Sequence, residues 1–87
     1  MKLDLNFELK NLEGQPIEGA NVGKLLANTL VTETKGDALK YWDWATKLNN
    51  GKVLDIDLSD AEVLKNFIKQ HEGFTVLLKA QILPLFK

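Results

Sequence analysis

The sequence predicts one α+β domain spanning residues 1–87: a small antiparallel sheet packed with about four helices, in the order β-β-α-α-β-α-α. Three observations predict it. Residues Lys2–Lys10 alternate strictly between polar and apolar, stretches of helical period open on Asn21, Asp37 and Ser59, and 45% hydrophobic against 26% charged residues is a globular composition. Neither an internal repeat nor a linker interrupts the chain, so a single core is expected.

The alternation places Leu3, Leu5, Phe7 and Leu9 on one face of a first strand and Lys2, Asp4, Asn6, Glu8 and Lys10 on the other. Turn chemistry follows at Asn11-Leu12-Glu13-Gly14-Gln15-Pro16, and Ile17 returns as a short second strand, confined to an edge by Pro16. Asn21 caps a first helix carrying Val22, Leu25, Leu26 and Leu30, which frays through Thr32-Glu33-Thr34 before Gly36. Asp37 caps a second, carrying Ala38, Leu39, Tyr41, Trp42, Ala45 and Leu48 and stopped by Asn49-Asn50-Gly51. Leu54, Ile56 and Leu58 alternate with Asp55 and Asp57 as a third strand. Ser59-Asp60-Ala61-Glu62 then reads as a capping box, with Leu64, Phe67, Ile68 and His71 on one stripe of a third helix that Gly73 ends. A fourth helix runs from Phe74 to about Leu83, ahead of Pro84.

The chain has no cysteine, which removes thiolate nucleophiles and cysteine-based metal sites and fits a reducing compartment. Met1-Lys2-Leu3-Asp4-Leu5 sets an acid where a secretory signal needs an apolar run, so a cytoplasmic location is expected. The apolar stretch Phe74–Phe86 is shorter than the ~20 residues a membrane span requires, and no membrane association is expected. All 11 basic residues are lysines, interspersed among 12 acids for a net charge of -1. Without arginine forks or a basic cluster, nucleic acid is an unfavoured partner.

Motifs that would carry chemistry are incomplete. Gly14 and Gly19 have the spacing of a phosphate loop, but Ala20-Asn21 stands where Lys-Ser/Thr is needed, and Leu25 after Lys24 cannot ligate magnesium. Asp55, Asp57 and Ser59 begin like a calcium loop, but Asp60 replaces the turn glycine and Asn66 the closing glutamate. His71 is the only histidine and Ser59, assigned to the cap, the only serine, so a general base lacks a nucleophile to activate. The sequence predicts no enzyme, cofactor or metal.

Surplus apolar surface points to a partner instead. On the wheel of the second helix, Trp42 is read at the centre of the face made by Ala38, Ala45 and Leu48, Tyr41 at its edge, and Trp44 pointing away. An exposed tryptophan is a common binding hot spot. Apolar residues surround the last segment on nearly every side, which calls for neighbours beyond three helices and a small sheet. Tyr41, Trp44, Leu83 and Phe86 are the predicted partner-binding residues, and the predicted partner is a second copy or another protein.

Five segments, Asn11–Ile17, Gly23–Asn28, Asp37–Lys40, Leu58–Glu62 and Lys79–Leu83, together resemble small uncharacterised proteins encoded in bacteriophages and prophages, often near virion-assembly genes. That resemblance implies a non-enzymatic accessory role in head or tail assembly, in the host cytoplasm. The alternative is a regulator that binds nucleic acid or a nucleic-acid enzyme; a minor enzyme or small-ligand binder stands third.

Overall fold

The computed structural model describes residues 1–86. Its elements are β1 (Lys2–Leu3), β2 (Glu8–Lys10), β3 (Pro16–Asn21), α1 (Val22–Val31), α2 (Ala38–Asn49), β4 (Leu54–Asp55), α3 (Leu58–Gln70) and α4 (Val76–Ile82), followed by a 3-10 turn at Leu83–Leu85. The fold is α+β, in the order β-β-β-α-α-β-α-α. It contains one strand more than the sequence order, because the alternating Lys2–Lys10 run is two strands.

The break has a local cause. Asp4 Oδ1 accepts the Asn6 amide at 3.1 Å, and the Phe7 amide donates to the Leu5 carbonyl at 2.9 Å, so a tight turn replaces ladder pairing between Asp4 and Phe7. The two halves then serve different sheets. β1 pairs antiparallel with β4 through Lys2 opposite Asp55 and Leu3 opposite Leu54, whereas β2 pairs with β3 through Glu8 opposite Asn21 and Lys10 opposite Pro16. More residues lie between these pairs on β3 than on β2, and the excess is taken up near Gly19, whose φ of 79° suits glycine and whose amide donates to Glu8 Oε2 at 2.9 Å.

Capping residues position the helices. Asn21 Oδ1 accepts from Lys24 N at 3.0 Å, Asp37 Oδ1 from Lys40 N at 3.1 Å and Thr75 Oγ1 from Leu78 N at 3.2 Å. The capping box at Ser59 does not form. Asp57 caps α3 instead, its Oδ1 accepting from Asp60 N at 2.7 Å, so the helix starts at Leu58. A carboxylate makes the stronger, charge-assisted bond, which favours Asp57 over the Ser59 hydroxyl. At the far end α4 stops at Ile82, close to the end expected near Leu83, and Pro84 shapes a 3-10 turn at Leu83–Leu85.

One contiguous core joins every layer. Leu5 and Leu54 bring in the strands, Leu26 and Leu48 the α1–α2 hairpin, and Leu64 and Ile82 the last two helices; each is essentially inaccessible to water. The approach of α1 is tight, since a Cβ on Gly23 would meet the carbonyls of Leu48 and Leu5 at 3.1 and 3.2 Å. No buried side-chain nitrogen or oxygen among the described residues lacks a hydrogen-bond partner.

Candidate protein-binding surface

The predicted docking residues fall largely inside the molecule. Trp44 is 3% exposed and Phe86 6%, both in the core, while Tyr41 and Leu83 are half-buried against it. The wheel of α2 is therefore rotated relative to the reading above. Its inward face is Tyr41, Trp44, Ala45 and Leu48, at spacings of three, four and seven residues, whereas Ala38 is exposed and Trp42 stands 66% exposed. Small Ala38, counted as core, drew the predicted face round to Trp42 and away from Trp44.

Trp44 is held by other rings. Its indole stacks on Tyr41 with centroids 5.7 Å apart, Tyr41 meets Phe67 edge-on at 5.6 Å, and Phe67 meets Phe74 at 6.2 Å. This aromatic chain fastens α2 to α3 and to the segment entering α4. His71 closes it, 4.7 Å from the Phe74 ring. The histidine Nδ1 accepts the Gly73 amide at 3.0 Å, leaving the proton on Nε2, which lies 3.5 Å from Glu33 Oε2. It thus lies between the end of α3 and the loop after α1.

Elsewhere the charged groups are paired or dispersed. Lys40 Nζ meets Asp60 Oδ1 at 2.7 Å, tying the first turn of α2 to that of α3, and this hydrogen bond raises the lysine above its ordinary pKa. Lys47 pairs with Asp43, and Lys79 Nζ donates to the Lys69 carbonyl. Among the described residues, no three His, Asp or Glu side chains converge as a metal ion would require. No helix of the described residues is long and apolar enough to cross a membrane.

Exposed apolar side chains occur on several elements, Leu39 at 84% and Leu58 at 76% among them, and two groups of them border hollows beside α4 and beside the α1–α2 hairpin. α4 buries Leu78 and Ile82 but leaves Val76 84% exposed, Ala80 exposed and Leu77 half-buried. Facing this stripe is the β2–β3 turn, from which Leu12 projects at 98% exposure. Between them runs an open groove of about 620 Å³, lined by Asn11, Leu12, Glu13, Val76, Leu77 and Ala80.

Its walls are fixed by polar contacts. Gln81 grips the outer edge of β2, accepting the Lys10 amide at 2.9 Å and donating to the Lys10 carbonyl at 2.7 Å. A side chain thereby takes the position of a neighbouring strand. Asn11 Oδ1 accepts the Glu13 and Gln15 amides, and Gly14, at φ 84°, completes the turn. The second patch lies on the outer side of the α1–α2 hairpin, where Trp42 and Val31 border hollows of about 230 and 200 Å³.

Of the groove residues, Val76 and Ala80 belong to the apolar last segment whose outer face the sequence marks for a partner, though they are not among the four residues named for it, and Leu12 was read only as part of a turn. Their signals were present: an apolar residue in the middle of turn chemistry, and an apolar helix with more sides than neighbours. No protein-family model, no curated protein and no solved structure matches this chain.

Proposed function

We propose that the chain is a non-enzymatic protein–protein interaction module that docks through the face shared by α4 and the β2–β3 turn. The observation that carries this reading is the pair Leu12 and Val76, 98% and 84% exposed on opposite walls of one apolar groove. Leaving a leucine or valine side chain in water forgoes about 1.5–3 kcal/mol of burial each, and contiguous patches of this kind mark docking sites. Because Gln81 and Asn11 hold both walls, docking need not spend free energy on ordering them.

The role in assembly rests on the resemblance to phage-encoded proteins, and the host cytoplasm is the compartment that resemblance and the cysteine-free composition assign. One observation supports a non-enzymatic reading: the single histidine lies against Gly73 and Glu33, its Nδ1 taken up by the Gly73 amide. The nucleic-acid alternative is weakened by Lys40, Lys47 and Lys79, each already bonded within the chain.

Site-specific photocrosslinking in cells tests the reading. Benzophenone-bearing residues at positions 12 and 76 should give discrete protein adducts, while the same residue at Gln70 should give none. Equal adducts at all three positions, or none at 12 and 76, would exclude this face as the docking surface.

A further inference from the structure

We infer that the occupant of the groove is a second copy of this chain, seated by exchange of Leu12 across a two-fold axis; this rests on the docking reading just given. The first support is surface area. A folded monomer of 9.8 kDa exposes about 5,200 Å², yet this chain exposes 5748 Å², an excess of roughly 500–600 Å². The excess is not looseness, because the radius of gyration, 12.3 Å, is close to the ~12 Å of a compact chain of this length. A standard interface takes about 800 Å² from each partner, and weaker ones take less; the surplus, a figure for the whole surface that also includes Leu39 and Leu58 outside the groove, is of that order.

Shape supplies the second support. The most exposed apolar side chain of the molecule, Leu12, and the hollow beside it belong to the same patch, between the β2–β3 turn and α4. A patch carrying both a projection and a recess is self-complementary, as an isologous interface requires. Rotation of one copy about a two-fold axis through the groove brings each Leu12 into the recess bounded by Val76, Leu77 and Ala80 of the other. Charge opposes it little: Glu13 is the one charged residue in the lining and is exposed, so the two copies bring only this one pair of like charges, and a net charge of -1 adds little long-range repulsion.

Sedimentation equilibrium from micromolar to millimolar concentration tests the pairing on the whole chain, with Leu12→Asp and Ala80→Asp as groove variants and Leu39→Asp as an exposed control outside the groove. The wild type and the control should approach twice 9.8 kDa, and each groove variant should dissociate at least tenfold more readily with an unchanged circular dichroism spectrum. Should one groove variant unfold, the other still decides. A mass of 9.8 kDa at every concentration, or a dimer lost in Leu39→Asp but kept in a folded groove variant, overturns self-pairing. The crosslinking separates the two levels. Adducts at position 76 with a different protein, from a chain that stays monomeric, reject the second copy and retain the interaction module. No adducts at 12 or 76 reject both.

Discussion

Two indoles two positions apart on α2 meet opposite surroundings, and their energetics should differ accordingly. Trp44 is buried and stacked on Tyr41, so Trp44→Ala removes a large core side chain and should cost about 3–5 kcal/mol. Trp42 is mostly in water, and Trp42→Ala should change stability by no more than about 0.5 kcal/mol. Urea midpoints of the two variants measure the contrast directly; a reversed order would mean that α2 is rotated from the orientation described here. The same pair shows where sequence reading loses resolution. Periodicity reports that α2 has an apolar face, but Ala38 fits either side; the Phe67 ring, brought from another element, meets Tyr41, on which Trp44 stacks, and such contacts are not written in the periodicity of α2. Leu12 was hidden differently: its exposure depends on Asn11 and Gly14 closing the turn beneath it.

At the scale of elements, helix starts are set by side chains acting three residues away, and this locality makes them legible. Asn21 and Asp37 cap α1 and α2 as their sequence positions suggest. At α3 the carboxylate of Asp57, two positions before Ser59, captures the Asp60 amide. Asp57→Ala should therefore cost about 1 kcal/mol, against a few tenths for Ser59→Ala, as read from thermal unfolding of both variants. Equal losses would restore the Ser59 capping box. What could not be read were long-range satisfactions of the backbone. Division of the N-terminal run between two sheets follows from the Leu5 carbonyl accepting both the Phe7 and Gly23 amides, and the edge of β2 is closed by Gln81, 71 positions away. Alternation in sequence specifies which side chains face inward, and Leu3, Leu5 and Leu9 do, but it does not specify which strand lies alongside.

For the molecule as a whole, 87 residues bury a modest share of their surface, and any further burial between copies adds to a narrow stability margin. Pairing through the groove would link folding to concentration, because only folded chains present Leu12 beside Val76 and Ala80. Above the dissociation constant, each tenfold rise in concentration stabilises the folded dimer by ~1.4 kcal/mol, or ~0.7 kcal/mol per chain, which corresponds to about 3–5 °C in Tm for a domain of this size. Leu12→Asp removes the projecting side chain without touching the core, since Leu12 is 98% exposed. Its Tm should therefore match the wild type at low concentration and stay there as concentration rises, while the wild type climbs. Scanning calorimetry across two decades of concentration distinguishes this from a purely intramolecular role for the turn. In that case the variant would melt at a fixed offset from the wild type, and neither curve would move with concentration.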